Sequence, residues 1–251
     1  MSLAEIAESL RETEPDRFGA SLLAPQPARE KLWTLFALSH DLARAPLQSN
    51  EPLIAMMRVR WWIDQLEAIG RGNEPGNEPL ESLVATWGRD AAALVDLAEA
   101  RQRDCEREPF GDAGEVEAYI RATAGALMRH ALVALGVPDR RDVAQDQALG
   151  CGLAQWLAAL PELDALRLGL ARPDPALISE LARRGLAALE RARAGRRELP
   201  RTAAPALFRG MGHVAALKAM AAEGKPVAVT ASEFSRRFAL GRLALTGRWW
   251  E

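Results

Sequence analysis

Cysteine, tyrosine and histidine are scarce in this chain of 251 residues, which has two Cys, one Tyr and three His. Cys105 and Cys151 cannot build a disulfide framework or a metal knuckle, so a pair of buried, reduced thiols is expected. His40, His130 and His213 lie far apart and in no ligand spacing, which argues against a zinc site. Val, Ile and Thr together number 23, against 48 Ala and 36 Leu. Strands favour β-branched and aromatic residues, whereas Ala and Leu lead the helix scale. An all-β fold is therefore excluded, and a parallel α/β sheet would be hard to supply. Long apolar runs are missing too. The longest charge-free stretch, residues 147–161, is too short to cross a bilayer as a helix. The opening residues, MSLAEIAESLRETEPD, lack both the basic start and the apolar core of a signal peptide. No charge sign dominates, and a net charge of −2 gives no global attraction to nucleic acid. A cytoplasmic protein is expected, with peripheral membrane contact left open. No Gly-rich phosphate loop and no GxSxG elbow is present.

What remains is a helix-building sequence. It is 49% hydrophobic and 26% charged, which excludes disorder. Pro and Gly divide it at residues 25–27, 49–52, 70–79, 108–114, 136–139, 161, 173–175, 195–200 and 224–226. Between these breaks apolar residues recur three and four apart. Leu32, Leu35, Phe36, Leu42 and Ala43 form one such face. Leu83, Trp87, Ala91, Leu94 and Ala98 form a second, and Leu149, Leu153, Trp156, Leu157 and Leu160 a third. Helix starts are expected at Asp16, at Asn50 with Pro52 just inside, at Asp174 with Pro175 inside, and at Thr230 with Glu233 three residues on. The reading is an all-α chain of about ten helices with short connections. Residues 1–251 are taken as a single domain, with an N-terminal helix or arm over 1–15 and a last helix over 230–251.

Three segments are unusual for their content. In MMRVRWWIDQLE, residues 56–67, two adjacent tryptophans are costly to leave exposed. One is expected to pack inward near Arg58, with an Arg60–Asp64 pair at i, i+4. In FSRRFALGRLALTGRWW, residues 234–250, Phe234, Phe238, Leu245 and Trp249 fall near one another on a helical wheel among four arginines. Such a helix either docks on the bundle or lies in a membrane interface. The Arg-rich stretch 183–201 has no interleaved aromatics for base stacking, which argues against nucleic-acid binding.

Four pieces in order resemble the squalene/phytoene synthase family: DRFGASLLAPQPAREKLWTLFALSHDLAR, EPLIAMMRVRWWIDQLEAI, VEAYIRATAGALM and ALGCGLAQWLAALPELDALRLG. The resemblance covers about residues 16–217. It implies an all-α bundle of the isoprenoid synthase type around a central apolar cavity. It also implies head-to-head joining of two prenyl diphosphates, with Mg²⁺ held by two opposed aspartate-rich clusters. A departing diphosphate needs that metal bridge, and carboxylates at i and i+4 on one helical face can share an ion.

This sequence departs from the pattern at both clusters. Aligned on Leu35-Phe36-Ala37-Leu38, the first cluster falls on Ala43, Arg44 and Leu47, and its preceding basic residue on His40. With Gln155 on the family's Gln, the second falls on Glu162 and Leu166; a register one residue on gives Leu163 and Arg167. Glu162 and Asp164, at i and i+2, cannot face one way on a helix, and Pro161 breaks the helix there. Tyr119 aligns with the first of two family aromatics, the second becoming Arg121; Met128 and Leu132 continue that helix toward the implied cavity wall. One branch of the family has lost the same clusters and resembles assembly factors for respiratory complex I, sharing Glu51-Pro52, Arg58 and Trp61-Trp62.

The resemblance therefore implies a catalytically degenerate member with no catalytic or metal-ligating residues and no cofactor. Its partner would be a respiratory or other membrane protein complex. Two alternatives stand beside it: a farnesyl or geranylgeranyl diphosphate transferase using Mg²⁺, and a module that binds isoprenoid or lipid without chemistry. His40, Arg44, Arg58, Tyr119 and Gln155 are the polar candidates for a residual substrate pocket.

Overall fold

Helices follow directly from the Ala- and Leu-rich periodicity in the computed structural model, which describes residues 1–73, 78–137 and 141–251. Helix α1, Leu3–Thr13, opens with a capping box in which Ser2 and Glu5 satisfy one another's backbone N–H groups. Then come α2 (Pro15–Ser21), α3 (Gln26–Arg44), α4 (Pro52–Gly70) and α5 (Glu78–Trp87). The short helices α6 (Val95–Glu99) and α7 (Gln102–Glu106) lead to α8 (Ala113–Ile120). A π turn, Arg121–Gly125, joins α8 directly to α9 (Ala126–Ala134). The rest is α10 (Arg141–Ala158), α11 (Leu160–Ala165), α12 (Pro175–Ala194), α13 (Ala204–Leu207), α14 (His213–Glu223) and α15 (Glu233–Thr246). Among the described residues the only β contact is an isolated bridge between Phe110 and Leu170.

The apolar stripes bury as their spacing predicts. Leu32, Leu35, Phe36 and Leu42 of α3 lie in a core shared with α1, α4 and α9, and Ala43 sits at its edge. The stripe from Leu83 to Ala98 is buried throughout, although 3₁₀ turns over Gly88–Leu94 interrupt it. The stripe on α10 packs with α12, α14 and α8 in a second cluster. There α10 and α12 approach closely at Gly150, where a Cβ would lie 2.9 Å from the carbonyl oxygen of Gly185. Both cysteines are free and buried.

Several expected boundaries move. Asp16 sits inside the first turn of α2, whose N-cap is Glu14. Glu51, one residue after Asn50, caps α4. Ser232 rather than Thr230 caps α15, its hydroxyl accepting from the Ser235 N–H at 3.1 Å. The start at Asp174 holds, with its carboxylate accepting from Ala176 N–H at 2.9 Å. Pro161 lies within the first turn of α11, where its missing N–H costs nothing. The short helices raise the total above the expected number. The loops expected over 70–79 and 136–139 lie partly outside the described residues. The expectation for the tryptophans holds: Trp62 is buried, Trp61 faces outward, and Arg60 pairs with Asp64 at 2.8 Å.

Candidate functional site

The segments at the two acidic positions are tied to each other by a cation. Arg107 follows α7 in the left-handed conformation, at φ 54°. Its guanidinium donates to the carbonyl oxygens of Pro46 at 3.3 Å and Ser49 at 3.2 Å, just after α3. It also donates to the carbonyl oxygen of Leu166 at 3.2 Å, just after α11. The turn beyond Arg107 adds backbone pairing, Phe110 N–H to Gly169 at 2.8 Å and Ala171 N–H to Phe110 at 2.9 Å. Asp164 is engaged in the same turn, its carboxylate accepting from Leu170 N–H at 3.3 Å.

Five candidate residues were expected to share a pocket, and the structure divides them. Arg44 and Arg58 line one cleft of about 650 Å³, with Asp41, Ile54, Met57 and Trp61. Arg58 donates to Gln48 at 2.9 Å. Burial pushes the Asp41 carboxyl above the ordinary carboxylate range, against the pull of His40 and Arg44. His40 itself is exposed on α3, one turn before Arg44, and is not among the residues lining that cleft.

Tyr119 lies elsewhere. Its hydroxyl donates to the buried Asp104 carboxylate at 3.0 Å and accepts from Arg101 at 2.7 Å, while Arg101 also reaches Asp104 at 3.2 Å. Its ring packs on Phe110, with centroids 5.2 Å apart. Burial pushes the Tyr119 hydroxyl and the Asp104 carboxyl up, against the pull of Arg101. This cluster reads as a satisfied buried network.

Gln155 lines a second cleft, of about 740 Å³, and accepts from Arg209 at 2.9 Å. Glu162 shares this cleft with Asp16, Arg17 and His213. Arg17 pairs with Glu14 and stacks over Phe36 at 4.6 Å. Charged side chains from α2, α11 and α15 line much of this cleft.

Sequence reasoning missed Arg107, the Arg101–Asp104 pair and the Glu251–His213 contact. In the last, Glu251 accepts from the His213 ring at 3.0 Å and from the His213 backbone N–H at 2.9 Å, capping α14. Only the i, i+3 spacing of Arg101 and Asp104 could have flagged one of these.

The model of squalene/phytoene synthases matches residues 10–169. The chain belongs to the squalene/phytoene synthase family. Over 142 residues it is 25% identical to NADH dehydrogenase (ubiquinone) complex I, assembly factor 6 of Homo sapiens and 24% identical to that of Bos taurus. Those stretches cover 53% of this chain and 40% of each relative, so the chain spans less than half of their length. A dehydrosqualene synthase crystallised with ligand superposes with a TM-score of 0.72 at 12% identity, covering 96% of this chain and 94% of that one. YisP from Bacillus subtilis subsp. subtilis strain 168 superposes at 0.55 and 15% identity, covering 95% of this chain and 94% of that one. These likenesses establish the isoprenoid synthase all-α fold.

The family's magnesium–diphosphate group does not fit the residues present. Ala43, Arg44 and Leu47 offer no carboxylate, and Glu162 has no acidic neighbour at i+4, where Leu166 stands. Among the described residues no three His, Cys, Asp or Glu side chains converge as metal ligands. Arg44 adds a positive charge at one of the acidic positions.

Proposed function

We propose that this protein is a non-catalytic squalene/phytoene synthase-like helper in the assembly of a respiratory membrane complex of the complex I type. The observation that carries this reading is the polarity of the two acidic positions. They hold Ala43, Arg44, Leu47, Glu162 and Leu166, and Arg107 clasps the adjoining segments through their carbonyls. Stabilising a departing diphosphate is the largest task in prenyl transfer, and these positions hold no pair of carboxylates to bridge it through Mg²⁺. The likeness to complex I assembly factor 6 supports the same reading. In this proposal the helper is cytoplasmic and membrane-peripheral; no helix among the described residues is long and apolar enough to cross a membrane. Arg44 and Arg58, which share a cleft, remain the polar candidates for contact with a ligand.

Deletion of the gene tests the assembly role. Loss of assembled complex I and of its NADH oxidation, restored by the gene in trans, is the expected result. Normal complex I in the deletion strain would overturn it. Isoprenoid or lipid that co-purifies with the chain, identified by mass spectrometry, would instead favour the binding-module reading.

A further inference from the structure

Helix α15 has two faces of opposite character. Inward, Ala239 and Leu243 are buried, and Arg236 pairs with Asp16 at 3.0 Å. Leu240 packs on α2 so closely that a Cβ at Gly19 would lie 2.9 Å from it. Outward, Phe234, Phe238 and Leu245 are 78%, 62% and 78% exposed. At 100° per residue they share with Gly241 a stripe about 60° wide. The two phenyl rings already stack, with centroids 6.3 Å apart. Large apolar side chains aligned this way on a soluble surface mark a contact site rather than scattered exposure.

The charge around the stripe says what covers it. Arg237 and Arg242 flank it on either side of the helical wheel. At its far end Arg201 donates to the carbonyl oxygen of Ala244 at 2.6 Å, and Arg248 follows the helix. Of these and Arg236, only Arg236 and Arg237 have carboxylate partners, Asp16 and Glu233. Counting Glu251, whose charge acts on Arg242, the five arginines outnumber the three carboxylates by two. A second copy would oppose this rim with the same sign of charge. A bilayer with anionic headgroups complements both the apolar stripe and the basic rim.

We infer that α15 is the membrane-facing element of this protein, lying flat in the interface of an anionic bilayer. Phe234, Phe238 and Leu245 enter the acyl boundary, and Arg237, Arg242 and Arg201 meet the phosphates. The inference rests on the peripheral placement proposed above but not on which complex is served.

Co-sedimentation of the purified full chain with vesicles tests it, using phosphatidylcholine with and without phosphatidylglycerol. Binding is expected with phosphatidylglycerol, weaker on phosphatidylcholine alone, and falling as salt rises. Phe234→Ser/Phe238→Ser should lower partitioning roughly tenfold to a hundredfold and leave the melting temperature unchanged. Leu53→Ser/Met57→Ser, on the exposed ridge of α4, should bind like the parent. Phe238→Trp should shift its emission to the blue on phosphatidylglycerol vesicles. Absence of vesicle binding, unaltered binding by the Phe variant, or a loss confined to the α4 variant would overturn the assignment. So would a dimer dispersed by the Phe variant in the absence of vesicle binding, which would give the stripe to a second copy. Vesicle binding together with normal complex I in the deletion strain would keep this inference and end the assembly reading.

Discussion

Arg107 and Leu166 are joined across the middle of the sequence, guanidinium to carbonyl oxygen at 3.2 Å. The same side chain holds Pro46 and Ser49. One cation thus ties together the segments that the resemblance aligns with the family's two acidic clusters.

That clasp predicts a stability cost. Arg107→Met leaves three carbonyls without their charged donor, and a loss of roughly 2–3 kcal/mol is expected. Arg107→Lys should recover only part of it, because an ammonium cannot spread donors as a guanidinium fork does. Urea unfolding of the three proteins measures both, with the slope unchanged. Equal stability of the Met variant would show that the clasp is incidental.

The contact between Glu251 and His213 predicts a pH dependence. Burial pushes the Glu251 carboxyl up, but hydrogen bonds from the His213 ring and from the backbone at the start of α14 outweigh it, so its pKa lies below the ordinary 4.5. A carboxyl that ionises more readily folded than unfolded stabilises the fold above its unfolded pKa. That contribution fades as the pH falls through 4.5 toward the lower folded value. Glu251→Gln should therefore be less stable than the parent near neutrality, by about 1–2 kcal/mol. The gap should narrow below pH 4.5. Unfolding midpoints across that range check the sign.

Trp61 and Trp62 are adjacent but should respond differently. Trp62 belongs to the core, and Trp62→Ala is expected to cost roughly 3–5 kcal/mol. Trp61 faces the cleft beside Arg58, and Trp61→Ala should cost under about 1 kcal/mol. Thermal melts of the two variants make the comparison directly.

The crossing of α10 and α12 is equally specific. A methyl group at Gly150 would press on Leu189 and on the Gly185 backbone, so Gly150→Ala should destabilise by about 1–3 kcal/mol. A melting temperature equal to or above the parent's would show that the two helices part without penalty.

The helical faces were legible because a 3.6-residue period is a local property. Leu149, Leu153, Trp156, Leu157 and Leu160 could be assigned to the core from spacing alone, and all are buried. Caps were less legible. Thr230 and Ser232 can both cap a helix, and nothing in the sequence ranks them before the chain is folded. Trp249 was grouped with Phe234 and Phe238 on one wheel. Gly247, at φ 70°, ends α15 first and sends Trp249 into the core. The polar contacts were the least legible. Arg107 finds its acceptors 58 to 61 residues away, and His213 finds Glu251 38 residues away. Such pairs leave no periodic trace. The missing carboxylates, by contrast, could be read position by position, because the motif is short and its spacing is fixed by the helix.

Prenyl transfer tests the loss of those carboxylates most directly. Purified protein incubated with Mg²⁺ and labelled farnesyl or geranylgeranyl diphosphate is expected to release no diphosphate and form no head-to-head product. Magnesium-dependent turnover to a squalene- or phytoene-type product would contradict the non-catalytic reading outright.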